Sequence, residues 1–406
     1  MNKIIKNIQS LLRAEINIID DLTVKRCSKI TSNDMIYYLS QLISSPSKSS
    51  KSVSSELNIE KISSAKDSAF RKKRHNLPSK YINGMSISIH NYYYENMKPK
   101  LFLNKYRLLS SDGTHSPLSK LLEEEGFKLT KNKTYVNASI NGVYDVLNNL
   151  LIDFELSKKS EEDAYKRQLT LLRKNDIVIH DRKYYSNYLL SALHSKNVHS
   201  IFRMKKSSRY VKHLIENELD DKIFDVKNTI NGNIIKLKVV RFKVEDEYYY
   251  IATTLVNENV SISQFKELYK LRWNIEEYFK LIKYSMSFKH FHSKKKMLIE
   301  QEIYMHQLIT SLTRILECAY IEKIADQKLK TKMTTHNTNF SNNIRKVISK
   351  IIRPLIFNKS YRKVALIIKD VFAILFKYLI KIRPNRSYER FSITPPSKWY
   401  FYSASQ

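Results

Sequence analysis

The sequence predicts an α/β fold, a mixed sheet flanked by helices, with a β-rich insertion and helical regions before and after it. Three observations predict it. Between residues 105 and 203, short β-like runs alternate with helix-favouring stretches. Between 223 and 255, β-branched and aromatic residues alternate with charges around Asn231-Gly232, a hairpin signature. Between 263 and 284, Phe265, Leu268, Leu271, Ile275, Tyr278, Phe279 and Ile282 are spaced for one face of a long helix.

Taken in order, residues 44–55 (SSPSKSSKSVSS) are Ser- and Lys-rich and read as a linker or loop. Residues 56–77 read as two short helices with a turn near 62–64. The second, DSAFRKKRHNL, carries Arg71, Lys72, Lys73, Arg74 and His75, with Phe70 as an apolar anchor. A basic helix after a short turn suits docking on DNA. A solvated basic surface suits the same residues equally well. KYRLLSSDGT then reads as a strand ending in a turn at Asp112-Gly113, and 135–144 and 146–156 as two strands joined near Asn141-Gly142. Residues 160–173 favour helix. NDIVIHD is a short apolar strand of the buried kind, ending at Asp181. Residues 184–193 suit a helix and VHSIFRM a further strand, before the hairpins and the long helix.

Composition narrows the function. Hydrophobic residues make up 42% of 406, enough for a sizeable core and too many for a globally disordered chain. The net charge is +32, an excess that repels itself and calls for a polyanionic partner. Nucleic acid is the natural one, since each phosphate met by Lys or Arg releases counterions. Residues 364–382 are apolar but interrupted by Lys369, Asp370 and Lys377, so they read as a packing helix and not a membrane span. The first ten residues lack a signal-peptide apolar region, and with no membrane partner expected, a cytoplasmic, nucleoid-associated location is expected if the host is bacterial. The two cysteines, Cys27 and Cys318, lie far apart without partners at zinc-ligand spacing, which argues against a disulfide framework.

Three acidic residues stand out: Asp112 and Asp181 at strand ends, and Glu276 on the long helix. If the first and fourth strands are neighbours, both aspartates emerge at one edge, where sites of such sheets gather. A helix across that edge would add Glu276. Hard divalent cations prefer such oxygen ligands, and a pair of them ~3.5–4 Å apart can hold both oxygens of an in-line phosphoryl displacement. Singly, each has a plainer reading: Asp112 as a turn residue, Asp181 as a helix cap, Glu276 as the partner of Lys280. Spacing alone leaves these alternatives open. Asp153, Glu155, Glu161 and Glu162 read as solvated or strand-surface charges, Trp273 as a core residue, and His180 and His290 as structural.

Residues 269–283, YKLRWNIEEYFKLIK, place Tyr269, Arg272, Glu276 and Lys283 at the spacing of a Y-R-E-K signature. The segment resembles that of DDE cut-and-paste transposases of bacterial insertion sequences. SSDGTHSPL resembles the family's first-aspartate block and VIHDRKYYSNYLLSAL its second. HFHSKKKMLIEQEI resembles the segment after the signature helix, and RPNRSYER, from Arg383, a late block. Lys183 stands where many members have Gly. The resemblance implies an RNase H-like core with the β-rich insertion between the fifth strand and the Glu-bearing helix. It implies a helical DNA-binding region over 1–95, a catalytic core over 96–330 interrupted at about 205–258, and a helical region over 331–406 with a possible dimerisation role. It further implies that Asp112, Asp181 and Glu276 hold two Mg²⁺ ions, with Mn²⁺ as a substitute. Tyr269, Arg272 and Lys283 would hold DNA phosphates; Arg71, Lys72, Lys73 and Arg74 are further expected DNA contacts on the reading of the basic helix above. The implied activity is cleavage and strand transfer on double-stranded DNA by a homodimer. A domesticated, non-cutting DNA-binding protein or a related metal-dependent nuclease is the alternative. Within the insertion, Tyr248, Tyr249 or Tyr250 would stand in for an aromatic that stacks on a flipped base, or serve packing.

Overall fold

A computed structural model describes residues 1–23, 29–45, 47–132, 134–158, 160–244, 246–286 and 288–383. Cys27, Trp399 and the RPNRSYER block beyond Arg383 lie outside the described residues. The chain opens with five helices, α1 (Asn2–Thr23), α2 (Ser32–Leu42), α3 (Ser50–Ile59), α4 (Asp67–His75) and α5 (Ser79–Asn96). Thr31 and Asp34 form a reciprocal cap on α2, and Ser49 and Ser52 do the same for α3. The stretch read as a linker is therefore half helix: its serines cap and start α3 instead of spacing it. The turn between the next two helices falls at 60–66, close to the reading.

Phe70 anchors α4 as expected, its ring stacked on Tyr38 at 4.6 Å. The cations of α4 do not act alike. Arg71 and Lys72 are exposed. Lys73 Nζ donates to the Ile30 carbonyl at 2.5 Å. Arg74 is only 3% exposed; it pairs with Glu302 at 2.9 Å and donates to Gln301 and the Leu298 carbonyl. The DNA contact expected of Arg74 is therefore corrected. Its guanidinium is already satisfied inside the protein, and buried charges persist only when paired.

The central sheet follows, with β1 (Arg107–Leu118), β2 (Val136–Asp145) and β3 (Leu150–Ser157), then α6 (Glu161–Gln168), β4 (Asp176–His180), α7 (Asn187–Ser195) and β5 (His199–Arg203). After α8 (Arg209–Glu216) come β6 (Asp221–Lys227), β7 (Ile234–Val244) and β8 (Glu247–Thr253). The eight strands form one sheet in the order β3-β2-β1-β4-β5-β8-β7-β6. Strands β1 to β3 pair antiparallel, while β4 runs parallel to both β1 and β5. That is the mixed sheet flanked by helices that the sequence predicts, and the β-rich insertion extends it by pairing β8 antiparallel to β5. The expected hairpin at Asn231-Gly232 is present, with Gly232 at φ 78.

Two turns read from glycines are not turns. Strand β1 runs straight through Asp112-Gly113, with Asp112 opposite Gly142 and Gly113 opposite Asn141. The β2–β3 turn lies at 146–149, where Asp145 Oδ1 accepts from the amides of Leu147 and Asn148 and Asn149 takes φ 52. The glycine at 142 serves close packing instead: a Cβ there would stand 3.2 Å from the Phe279 ring.

The remaining helices are α9 (Ile262–Leu271), α10 (Trp273–Ser285), α11 (Lys296–Lys323), α12 (Gln327–Lys332), α13 (Phe340–Lys346), α14 (Ile352–Phe357) and α15 (Tyr361–Leu375). Helix α11 is buried on most of its surface between α5 and β3. Its Gln307 splices it to the sheet, accepting from the Phe154 amide and donating to the Ile152 carbonyl, each at 3.1 Å. The apolar stretch 364–382 is helical through Leu375. Among the described residues no helix is long and apolar enough to cross a membrane.

Removing one partner of a buried ion pair strands the other. Arg74→Ala should therefore lower unfolding free energy by about 3–5 kcal/mol, and Lys72→Ala by less than about 0.5 kcal/mol, measured by urea denaturation. Equal small losses would contradict the anchoring role of Arg74.

Candidate active site

The sheet register brings the two aspartates to one edge. Parallel pairing of β1 and β4 ends at Ser110 opposite Ile179. Asp112 and Asp181 lie just beyond that last pair, Asp112 on the overhang of β1 and Asp181 immediately after β4. Helices α9 and α10 cross this edge. Phe279 of α10 seats against Gly142, which sets how closely the helix approaches.

Arg272, between the two helices, closes the arrangement. One terminal nitrogen donates to Asp112 Oδ2 at 3.2 Å and the other to Glu276 Oε1 at 2.7 Å. Tyr269 donates to Asp181 Oδ1 at 3.4 Å, and its ring lies 5.8 Å from the Arg272 guanidinium. Lys283, two turns further along α10 on the same face, donates to Thr114 on β1. The structure thus joins Asp112, Asp181, Glu276, Tyr269 and Arg272 into one connected constellation, with Lys283 beside it. The long helix is not continuous, however. It divides at Arg272, where the hydrogen bonds from the Arg272 amide to Tyr269 and from the Ile275 amide to Arg272 tighten the chain locally.

The electrostatics follow from burial. Asp112 is pushed up to about 6, chiefly by burial and further by Glu276 and Glu161, against the pull of Arg272 and the Gly113 amide. Burial also holds Lys283 below its ordinary value, with Lys289 adding to the effect. Tyr269 is raised by burial. Arg272 is 5% exposed, and its Nε has no partner among the described residues.

Other readings change. Trp273 is 48% exposed beside Arg272, with its ring 5.1 Å from the guanidinium, so it is not a core residue. Of the insertion tyrosines, Tyr250 is buried, Tyr249 packs between Arg203 and Tyr269, and Tyr248 is exposed. His180 is buried and stacked on Phe202, with its pKa pushed down to about 3 by burial. Arg71 and Lys72 do not join the carboxylates, because α4 packs on α2 and α3.

Two groups escaped the sequence reading. Asp153 is not a solvated charge. It is buried, raised to about 7 by that burial, and hydrogen-bonded by Gln168 at 2.8 Å and Asn83 at 3.3 Å. Gln168 in turn meets Asn141, which contacts Ser111 and Tyr184, a polar layer beneath the aspartates. Glu161 is also buried, at 8% exposure, against Gly113. Ser160 as a helix cap was a legible signal for the start of α6. Nothing in the sequence pointed Glu161 at β1.

As placed, no group of three or more His, Cys, Asp or Glu side chains among the described residues is close enough to hold a metal ion. The donor chemistry nevertheless fits one. The carboxylates are hard oxygen donors, and the Arg272 guanidinium supplies positive charge between Asp112 and Glu276. A divalent cation taking those oxygens competes with that guanidinium.

The sequence model of the family described as "Transposase DDE domain" matches residues 103–312. Among solved structures, a cryo-EM piggyBac transposase synaptic complex with hairpin DNA is similar at 13% identity and a TM-score of 0.47, covering 91% of this chain and 82% of that one. A comparison with curated proteins gave no match.

Carboxyl titration tests the electrostatics in metal-free protein. By NMR, Asp112 should titrate near pH 6. Arg272→Met removes a positive charge that favours the anion, so the midpoint should rise. A midpoint that falls in the variant would contradict the bridge.

Proposed function

The chain belongs to the transposase DDE-domain family, and from that premise we propose that it cuts and rejoins DNA at the ends of a mobile element of the insertion-sequence type. The observation that carries this reading is the single constellation in which Arg272 links Asp112 to Glu276 and Tyr269 reaches Asp181. Asp112, Asp181 and Glu276 are the residues that would hold divalent cations, Mg²⁺ first and Mn²⁺ as a substitute. Bound there, such ions activate a water or a 3′-hydroxyl and offset charge at phosphorus. The rest falls to the chain's own side chains. Arg272 has a planar fork suited to a phosphate. Lys283 supplies a point charge, held in place by Thr114. Tyr269 orients Asp181 while its ring packs against Tyr249 of the insertion. Arg71 and Lys72, exposed on α4, extend the basic surface toward double-stranded DNA.

The net charge of +32 supports a phosphate-dominated partner. Two element ends must meet for rejoining, and exposed Leu366 and Ile374 on α15 support a homodimer contact.

Asp181→Ala should reduce Mg²⁺-dependent strand cleavage by at least about a thousandfold and leave element-end binding within about threefold. A variant that still cuts would remove Asp181 from the reaction. End binding by wild type without any nicking would make the protein a DNA binder that does not cut. In wild type, binding affinity should fall linearly with salt on a log–log scale.

A further inference from the structure

Glu161 connects the two aspartate-bearing segments. It begins α6 yet is 8% exposed, and its side chain lies across β1. One carboxylate oxygen stands 3.4 Å from His115 Nε2 on β1, and the other 3.4 Å from Lys183 Nζ, two positions past Asp181. His115 is itself fixed to β2 through Ser139 at 3.2 Å. The side chain passes over Gly113: a Cβ there would stand 2.2 Å from Glu161 Cγ and 2.3 Å from Cδ. No side chain larger than hydrogen leaves room for it. The glycine next to Asp112 is thus a notch for Glu161, since its backbone is ordinary paired strand with no turn to make.

We propose that Glu161 is a positioning residue of the active site: lodged in the Gly113 notch, it grips Lys183 and so fixes the Asp181 segment against the strand that carries Asp112. The proposal rests on the metal-binding reading above. Strands β1 and β4 stop pairing before either aspartate, so ladder hydrogen bonds do not set the separation of the two carboxylates. A bridge just beyond the last pair does. Outer partners that orient ligands in this way typically change metal affinity by about 10–100-fold when removed.

Lys183 separates positioning from simple electrostatics. Loss of a lysine near a cation site should tighten cation binding if charge alone matters. If Lys183 acts through the bridge, its loss should weaken binding.

The test is Mn²⁺ binding by the full-length chain without DNA, read as free Mn²⁺ by electron paramagnetic resonance. Glu161→Ala and Lys183→Ala should each raise the Mn²⁺ Kd about tenfold, and the double variant should do no more than either alone. Glu161→Gln keeps an acceptor for Lys183 and should recover most of the affinity. Gly113→Ala, which evicts Glu161 by contact, should match Glu161→Ala. Thermal melting checks that each variant folds; should Glu161→Ala not fold, Glu161→Gln and Lys183→Ala carry the comparison. Tighter binding by Lys183→Ala, multiplying losses in the double variant, or unchanged binding by Glu161→Ala would overturn the proposal. A wild-type chain that binds no Mn²⁺ would overturn the metal reading and the proposal together, a failure visible before any variant is made.

Discussion

A single guanidinium holds the site together. Arg272 ties a strand to a helix by donating to Asp112 and Glu276 at once, and its charge opposes the burial that disfavours the Asp112 anion. Its position requires the sheet register that ends β1–β4 pairing before the aspartates, and the Gly142 notch that lets α10 lie close to β2.

The fold shows how a small set of glycines can be misread. Asp112-Gly113 and Asn141-Gly142 carry the composition of turns, yet both dipeptides pair within β1 and β2. Glycine is chosen there because a helix ring approaches at one position and a glutamate at the other. Local composition cannot distinguish a turn from a close approach made by a residue far away in sequence. The true turn at 146–149 relies on Asp145 and on asparagines, a weaker signal. By contrast, the short apolar run before Asp181, the Asn231-Gly232 hairpin and the amphipathic face ahead of Tyr284 were legible, because their period is a local property. The break at Arg272 was not, since the apolar spacing runs through it unchanged while the backbone tightens.

Charge was the least legible feature at residue level. A run of cations on α4 reads as one basic surface, but Arg74 is committed to Glu302 on α11, and His292 bonds the same carboxylate at 2.9 Å. Acidic residues misled in the opposite direction: Asp153 and Glu161 are interior groups that bind the layers together beneath and beside the site. Burial and partner choice arise only once β1, β3 and α6 are assembled. The spacing of Tyr269, Arg272, Glu276 and Lys283 did carry through, because positions three, four and seven apart on a helix share a face even when one turn tightens.

Under the proposed function, a cation shared by Asp112, Asp181 and Glu276 would have to displace Arg272 from at least one of its two carboxylates. Crystals soaked in Mn²⁺ and measured at the manganese absorption edge test it directly. The expected result is an anomalous peak bounded by Asp112, Asp181 and Glu276, with the Arg272 guanidinium withdrawn from at least one carboxylate. Arg272 still bridging Asp112 and Glu276, with manganese absent or bound elsewhere, would contradict it.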